Sequence, residues 1–378
     1  MSAPSPTSTD LVTTEPARTS LLPAGRPGML IRLGSLAVLL VIAAIFPLVI
    51  TNPLYTQFAV DTLIFVAAVV AWNLFSGFSG YISLGHAVFF GTGAYTVGLL
   101  TTHWKVIGGT IFALLPLGGL AAAVVAVPFG LIALRVRRHT FVVVTIAVFF
   151  IFQLMASNFS WTGGVTGISP PFLNWDPITV YNPFYYTALL IAVVAAILAW
   201  AIWGSRFGLQ LRAIRDDEDR ARGLGVKTMR VKLAAFVISA FILGTLGGLY
   251  FYFQSDALPQ YAFNPFFDLT IALMAFVGGF GTLSGPIFGA LLLEPYLGWA
   301  QQQVSNTYAA QIFLGALFLI VIIFLPRGIL PTVGEKLTTL RASRQRRATE
   351  RASGPPPGLP VGATAAASPA EPTTRSAS

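Results

Sequence analysis

Apolar runs long enough to cross a lipid bilayer recur along the whole chain. A helix needs about 20 apolar residues to span the roughly 30 Å of hydrocarbon in a bilayer. About ten such runs occur, at residues 30–50, 58–75, 82–100, 107–134, 141–156, 186–203, 233–253, 265–279, 286–301 and 310–326. The eighth and ninth are short and rich in glycine. With 55% hydrophobic residues and a mean hydropathy of +0.75, we expect an all-α polytopic membrane protein with about ten transmembrane helices.

The basic residues predict how these helices are oriented. They form clusters at residues 18–32, 135–139, 207–233 and 327–351. Because Lys and Arg are retained on the cytoplasmic side of a membrane, the first cluster places the N-terminus in the cytoplasm. Ten spans, with the N-terminus and C-terminus both cytoplasmic, keep every cluster on that side, whereas an odd number strands one outside. This distribution also explains the net charge of +9 without any nucleic-acid partner.

Two tails are predicted to flank one membrane domain at residues 26–333. Residues 1–25 and 334–378 are rich in Ser, Thr, Pro and Ala, and the second tail begins with a basic stretch. We expect both tails to be disordered, because such compositions do not support a packed core. Asp10 and Glu15 precede the first run without an obvious small-residue cleavage site. The first helix is therefore predicted to be retained, unlike a signal peptide.

The residue types needed for metal, nucleotide or catalytic chemistry are not found together. The chain contains no Cys, and its three His residues, His86, His103 and His139, lie far apart, so no metal site is expected. Gly279 and Gly281 follow no predicted strand, and no Gly-Lys pair occurs anywhere, which excludes a P-loop. These glycines instead predict a tight turn between two spans. We expect no cofactor, no catalytic cluster and no enzymatic activity in this chain.

Small residues repeat on one helical face in two of the runs. They are Ala87, Gly91, Ala94 and Gly98 in the third run and Ala240, Gly244 and Gly248 in the seventh. This spacing predicts close packing against a neighbouring helix. The polar residues Asn73, Ser83 and His86, near the start of the third run, suggest a second interpretation, in which this region lines a translocation path. Both interpretations can hold at once.

One acidic residue interrupts the ninth run. Glu294 lies well inside this run and is followed by Pro295. A carboxylate there is costly, so it marks a candidate functional site. Two readings remain open: Glu294 lines a translocation path, or it lies near a helix end and reaches interfacial water. Asp61 and Asp268, by contrast, are placed near the outer ends of their runs.

One polar segment, residues 207–233, concentrates charge in a chain that is only 10% charged. From about Leu209 it is predicted to be helical and to end at Gly223 or Gly225, because glycine caps helix C-termini. The spacing allows ion pairs at Arg212–Asp216, Arg215–Asp219 and Glu218–Arg222.

The polar segment admits two interpretations. A solvated helix that satisfies the positive-inside rule explains its basic residues. It does not explain the successive acids at 216–219, because acids contribute little to topology. A partial apolar stripe, formed by Leu211, Ile214, Ala221 and Leu224, instead favours docking of a short charged helix into the groove of a cytosolic partner.

Three segments of the chain form a recognisable set. They read WNLFSGFSGYISLGHAVFFGTGAY at residues 72–95, RAIRDDEDRARGLGVKTMRVKLAAFVISAFILGTLGGLY at 212–250 and GGFGTLSGPIFGA at 278–290. In this order they resemble segments of the branched-chain amino acid ABC transporter permease family, the membrane subunits of ABC importers. The resemblance covers residues 30 to 331 and is closest to the subunit type that pairs with a second, different permease.

The resemblance implies partners and a role for the polar segment. It implies a second homologous permease subunit in the bacterial inner membrane, two ABC ATPase subunits on the cytoplasmic loops, and an extracytoplasmic substrate-binding protein. The coupling motif that contacts the ATPases corresponds to Arg212, Ala213, Ile214, Arg215, Asp217, Glu218, Ala221 and Gly225. Arg220 and Gly223 depart from the family pattern, in which small or apolar residues are usual at these positions.

The resemblance narrows the substrate class without fixing the substrate. Related permeases serve leucine-type amino acids, urea and short amides. The expected cargo is a branched-chain or related amino acid, with urea or a short amide as the alternative. From another class, a secondary transporter driven by an ion gradient would show inverted repeats and several intramembrane carboxylates, whereas only Glu294 is predicted to lie deep here.

Overall fold

The computed structural model describes residues 40–50, 52–106, 108–169, 180–254 and 258–303, with scattered positions between 312 and 332. These residues are predominantly helical, which confirms the all-α prediction for this part of the chain. The helices are α1 (Leu40–Val49), α2 (Pro53–Trp72), α3 (Ala87–Trp104), α4 (Leu115–Ala133), α5 (Arg138–Asn158), α6 (Asn182–Gly204), α7 (Arg206–Asp216), α8 (Glu218–Gly223), α9 (Thr228–Gln254), α10 (Pro259–Ala262), α11 (Pro265–Gly278) and α12 (Gly285–Gln303).

Six segments of the described chain are long and apolar enough to cross a membrane. They are Pro53–Gly77, Gly108–Ala133, Arg138–Asn158, Asn182–Gly204, Thr228–Gln254 and Pro259–Gly278. They coincide with the second and the fourth to eighth apolar runs, while α3 and α12 occupy the third and ninth. Most of the tenth run and both predicted tails lie outside the described residues. The fold is that of a multi-pass membrane protein.

The third run becomes helical later than its apolar pattern predicts. After α2 the chain passes through a π-helical turn at Asn73–Gly77 and turns at Gly80, whose φ is +73°. α3 begins only at Ala87, so the prediction of helix from residue 82 is wrong. Residues 80–86, called the 80–86 segment below, are not helical. Such backbone needs partners inside the protein, because unsatisfied peptide groups are costly away from water.

Side chains from the π-helical turn and from α2 and α5 satisfy the backbone of the 80–86 segment. Trp72 Nε1 donates to the Ser83 carbonyl at 2.8 Å, and the Ser83 amide donates to Ser76 Oγ at 3.3 Å. The Leu84 amide donates to Thr145 Oγ1 at 3.2 Å. These bonds replace the helical ladder that an apolar pattern alone would suggest.

α9 is the central helix and packs against α2, α3 and α4. The approach of α3 to α9 depends on Gly93 and Gly247. A Cβ at Gly93 would overlap the backbone of Gly244, and a Cβ at Gly247 would overlap the backbone of Phe90. Contact through small residues is typical of membrane helices. Both of these glycines lie outside the small-residue stripes read from the sequence.

The stripe residues themselves make room for several kinds of neighbour. Ala87, Ala94 and Ala240 are buried in the core. The neighbours of the stripe glycines are the Phe263 ring for Gly91, the Phe251 ring for Gly98, Ala122 for Gly244 and Val97 for Gly248. Much of this space is therefore filled by side chains from other elements.

α5 and α6 are the least covered of the six spans. α6 packs on α2 and buries small residues spaced along one face, at Ala188, Ala192, Ala195 and Ala199. The hydroxyl of Tyr185 donates to the Ala43 carbonyl at 2.7 Å and so fixes α1 against α6.

Candidate functional site

The polar segment forms two helices instead of one. Ser205 caps α7, with its side chain accepting a hydrogen bond from the Gly208 amide at 3.2 Å. Asp217 adopts an extended conformation that ends α7 and then caps α8, accepting from the Arg220 amide at 3.0 Å. Serine and aspartate are favoured at such N-caps. The prediction of one continuous helix to Gly223 is therefore wrong at Asp217.

The break at Asp217 changes which ion pairs form. Glu218 and Arg222, both in α8, approach to 3.3 Å as predicted. The pairs Arg212–Asp216 and Arg215–Asp219 do not form between these described residues. Arg212 instead stacks on the Trp203 ring at 4.3 Å and donates to the Trp203 carbonyl at 3.2 Å. Arg215 and Asp219 lie on either side of the break and so lose the helical spacing on which their pair depends. Arg212 and Asp216 both lie in α7, so the break does not explain the loss of that pair.

Glu218 points into the protein and joins three elements. Its side chain is 16% exposed. Oε1 accepts from the Nζ of Lys232 on α9 at 2.8 Å, and Oε2 accepts from the hydroxyl of Tyr81 in the 80–86 segment. Burial alone would raise the pKa of the Glu218 carboxyl, but hydrogen bonds from Lys232 and Tyr81 outweigh it and hold that pKa below its usual value. We call these residues the Tyr81–Glu218–Lys232 cluster.

Lys232 is the residue that makes this cluster energetically critical. Its side chain is only 3% exposed, and its Nζ also lies 4.1 Å from the centre of the Tyr81 ring. A buried ammonium group needs a paired carboxylate, because an uncompensated buried charge is strongly destabilising. The sequence carries a signal that could have found it, since Lys232 adjoins a long apolar run.

Arg138, at the start of α5, fixes the end of α7. Its Nη2 donates to the carbonyls of Ile214 at 3.2 Å and Arg215 at 2.9 Å. These carbonyls lack helical partners at a helix C-terminus, where cationic side chains also complement the helix dipole. The same guanidinium lies 5.6 Å from the centre of the Tyr81 ring, so two cations flank that ring.

The glycine turn at residues 279–284 meets α7 at the same place. Arg215 Nη1 donates to the Gly281 carbonyl at 3.4 Å. Gly281 has a φ of +72° and no room for a Cβ beside Arg215, so glycine is required there. Asn73 completes the contact: its Nδ2 donates to the Thr282 carbonyl and its Oδ1 accepts from the Gly281 amide, each at 2.9 Å.

The three segments singled out in the sequence therefore meet at one end of the molecule. Residues 72–95 contribute Asn73 and Tyr81, residues 278–290 contribute the glycine turn, and the polar segment contributes Arg215 and Glu218. We call this meeting point the junction. The sequence suggested that Asn73 lines a translocation path. In the structure Asn73 is 2% exposed, and its side-chain amide joins two segments of the junction.

The other side chains of the junction divide into buried and exposed sets. Ile214 and Ala221 are buried, which accounts for the partial apolar stripe of α7 and α8. Asp219, Arg220 and Leu224 are 93%, 86% and 85% exposed. α7 and α8 thus hold themselves to the membrane domain by one face and leave a mixed charged and apolar face free.

His86 lies deeper, among aromatic rings. Both its side chain and that of Ser83 are fully buried, and its ring packs near Phe75 and Phe236, with centres 5.8 and 5.4 Å away. His86 Nε2 lies 3.1 Å from Ser239 Oγ, which itself donates to the Ala71 carbonyl at 2.7 Å. Since the serine hydrogen is used, this contact requires a proton on Nε2. This arrangement ties α3 to α9.

Asp268 caps the buried N-terminus of α3 from a different helix. Its two carboxylate oxygens accept from the Ala87 amide at 3.0 and 3.2 Å, and the residue is 1% exposed in the first turn of α11. A carboxylate is stabilised at a helix N-terminus by free amides and by the helix dipole. The sequence reading assigned Asp268 no such role, because nothing local indicates a contact across 181 residues.

Glu294 lies in α12, where it is 9% exposed. α12 packs against α2, and the Asp61 carboxylate on α2 is close enough to interact electrostatically with that of Glu294. Both acids therefore belong to one part of the α2–α12 interface.

In the described part of the chain, no group of three or more His, Cys, Asp or Glu residues could hold a metal ion.

We expect Glu294→Ala to reduce transport more than it reduces the amount of folded protein, because an acid buried between spans is retained at a cost and points to a function. Uptake and the amount of protein in the membrane are to be measured together. Glu294→Gln is the matched variant, since it keeps the size and removes the charge. Unchanged uptake in Glu294→Ala would remove this residue from the path.

Comparison with known proteins gives one consistent family. The family model described as the branched-chain amino acid transport system permease component matches residues 54–322. The high-affinity branched-chain amino acid transport system permease protein LivM of Escherichia coli (strain K12) is 30% identical over 335 residues, which cover 80% of this chain and 76% of that protein.

Two further relatives are more distant or match a shorter part. The high-affinity branched-chain amino acid transport system permease protein LivH of Escherichia coli (strain K12) is 25% identical over 283 residues, covering 69% of this chain and 89% of LivH. The autoinducer 2 import system permease protein LsrC of Yersinia pseudotuberculosis serotype O:1b (strain IP 31758) is 30% identical over 117 residues, or 30% of this chain and 32% of LsrC. No solved structure matches the chain.

Proposed function

Because this chain belongs to the family of branched-chain amino acid transport permeases, we propose that it is the membrane-spanning permease subunit of an ATP-driven ABC importer. It forms a translocation path for branched-chain or related amino acids. The observation that carries the proposal is the similarity to LivM over most of both chains. The junction supports it, because it connects a partly free pair of short helices to the core of the membrane domain.

The proposed complex contains several other subunits. Two ABC ATPases bind the polar segments, a second homologous permease completes the membrane unit, and an extracytoplasmic binding protein delivers the substrate. LivM and LivH are both permease proteins of high-affinity branched-chain amino acid transport systems, which supports a pair of related permeases.

The proposed topology has ten spans in the bacterial inner membrane, with both termini in the cytoplasm. It places the junction, with α7 and α8, on the cytoplasmic side, which suits the many Arg residues there. The six strongly apolar segments together with α1, α3 and α12 support this count, and the tenth span corresponds to the run at 310–326.

The proposed docking surface is the free face of α8 and the turn after it. Asp219 and Arg220 are solvated charges that set the register of an ATPase more than its affinity, while exposed Leu224 offers an apolar anchor. Gly225, with a φ of +89°, turns the chain from this surface into α9. Closure of the ATPases on ATP moves α7 and α8, and the junction transmits that movement to the spans.

The proposed path residues differ in the strength of their support. Glu294 is 9% exposed and interacts electrostatically with Asp61, and we propose that its carboxylate lines the path. Asn73 and His86 Nε2 contact other elements, and Ser83 Oγ accepts from the Gly85 amide within the 80–86 segment. We propose that these three residues support the wall of the path. The proposal requires no cofactor and no catalytic residue in this subunit.

Uptake by the reconstituted complex tests the proposed function. The permease, its partner permease and their ATPases are placed in liposomes with ATP inside and the binding protein outside. We expect uptake of leucine, isoleucine or valine that requires ATP and the ATPase subunits. Uptake of urea alone would contradict the proposed substrate, and uptake driven by an ion gradient without ATPases would contradict the proposed mechanism.

A further inference from the structure

We propose that Tyr81 is a positioning residue for ATP-driven transport, whose hydroxyl links the movement of α8 to the N-terminal end of α3. This inference rests on the proposed function, because it assumes that an ATPase moves α8. It identifies a contact inside the permease, from α8 to the segment before α3, and docking of an ATPase on α8 does not by itself provide such a contact.

The covalent chain leads from α8 back to α7 through Asp217, and not directly to α3. Forward along the chain it leads from α8 to α9. Residues 224–227 connect these two helices, and the Glu218–Lys232 ion pair closes the same connection at 2.8 Å. α3 is reached differently. Tyr81, in the 80–86 segment, donates its hydroxyl hydrogen to Glu218 Oε2 and so joins α8 to the segment that leads directly into α3.

The 80–86 segment is suited to carry a displacement over its length. Its backbone is fixed by hydrogen bonds to Trp72, Ser76 and Thr145, so we expect a displacement at Tyr81 to move the segment as a unit. At its far end, the Ala87 amide is bound by both oxygens of Asp268 on α11. Movement of α8 would therefore reach the first turn of α3 and, through Asp268, α11.

The ring and the hydroxyl of Tyr81 have separable roles. The ring is held by Lys232 Nζ and the Arg138 guanidinium, 4.1 and 5.6 Å from its centre, and by the edge of Phe141 at 5.4 Å between ring centres. None of these contacts uses the hydroxyl. Glu218 also keeps its bonds to Lys232 and Arg222 without Tyr81. Tyr81→Phe should therefore remove the link and leave the packing of the junction in place.

The experiment compares Tyr81→Phe with Tyr185→Phe in the complete reconstituted importer. Tyr185 is the matched control, because its hydroxyl also donates to an acceptor in another element, the Ala43 carbonyl at 2.7 Å, far from the junction. The measured quantity is the amount of amino acid taken up per ATP hydrolysed. We expect a fall of about fivefold or more in Tyr81→Phe, the usual scale of coupling between sites, and no fall in Tyr185→Phe.

A second measurement separates positioning from general stability. In the unmodified complex, ATP should alter amide hydrogen exchange at residues 80–87, and this ATP-dependent change should disappear in Tyr81→Phe. An unchanged ratio of uptake to ATP hydrolysis, or an ATP-dependent change that persists in Tyr81→Phe, overturns the inference. Loss of ATPase binding in Tyr81→Phe also overturns it, because the hydroxyl would then serve only assembly.

The unmodified complex distinguishes this inference from the proposed function. If it takes up amino acids with ATP while Tyr81→Phe behaves identically, only the role of Tyr81 is wrong. If the unmodified complex binds ATPases but transports no amino acid, the proposed function is wrong.

Discussion

Replacing Glu218 with Lys should stop ATP-driven uptake almost completely, because the new ammonium group would lie beside the buried Nζ of Lys232. In the native protein, Glu218 Oε1 and Lys232 Nζ are 2.8 Å apart, and the Lys232 side chain is 3% exposed. Removing one partner of a buried ion pair costs about 3–5 kcal/mol, and the repulsion between two cations adds to this cost. The free energy of unfolding of a native protein is only about 5–15 kcal/mol. The junction should therefore lose its structure or its ability to bind an ATPase subunit.

The charge-swapped protein is the control for this prediction. Glu218→Lys combined with Lys232→Glu restores opposite charges at the same two positions, and we expect it to recover part of the assembly that Glu218→Lys loses. Thermal stability, ATPase binding and uptake are measured for both. Normal transport by Glu218→Lys, or a swapped protein no better than the single variant, would contradict the assignment of Glu218 to a buried pair.

The neighbouring acid should behave differently. Asp217 is a partly exposed N-cap, bound to the Arg220 amide and side chain, and loss of such a cap costs about 1 kcal/mol. Asp217→Lys should therefore lower stability only slightly. The double variant Asp217→Lys/Glu218→Lys should lose coupling or assembly, mainly through Glu218. If the double variant assembled and transported normally, the docking proposal would fail.

Gly247→Val is expected to destabilise the membrane domain strongly. A Cβ at this position would overlap the Phe90 carbonyl on α3, and a backbone atom cannot move aside as a side-chain tip can. Overpacking a well-packed core costs about 1–3 kcal/mol or more. α9 is the central helix, so displacement of α3 disturbs the core at its middle. The measurement is the yield of monodisperse protein and its thermal unfolding midpoint.

The matched comparison uses alanine at two helical glycines. Gly247→Ala should lower the unfolding midpoint, since one added carbon already meets the Phe90 backbone. Gly204→Ala, at the end of α6, meets no atom within 4 Å and should be neutral or slightly stabilising, because alanine restricts the unfolded chain. Equal midpoints for the two alanine variants would contradict the close contact of α3 and α9.

The helices themselves were largely predictable from the sequence. Long apolar runs in lipid have few alternatives to helix, so most runs coincide with helices of the structure. The 80–86 segment escaped prediction because Ser76 and Thr145 satisfy its backbone from elsewhere. Hydropathy reports how apolar a residue is and carries no information about such a partner.

The contacts of the junction were less predictable than its members. The sequence singled out the polar segment and the glycine turn, but it did not indicate which residues of the two contact each other. Asn73 binds Thr282 across 209 residues, and Tyr81 binds Glu218 across 137. The break at Asp217 was missed for a local reason: charges at helical spacing continue through it, and aspartate is equally suited to capping a new helix.

The cap on α3 has a consequence for the order in which the protein can be completed during synthesis. The Ala87 amide can bind Asp268 only after the ribosome has added that residue, 181 positions later. Until then the N-terminus of α3 has to find water or a temporary partner, because a free amide in hydrocarbon costs several kcal/mol. Asn73 likewise waits for Gly281 and Thr282. A nascent chain that stops before α11 should therefore leave the N-terminus of α3 without its cap. The early helices can complete their packing only after α11 has been synthesised.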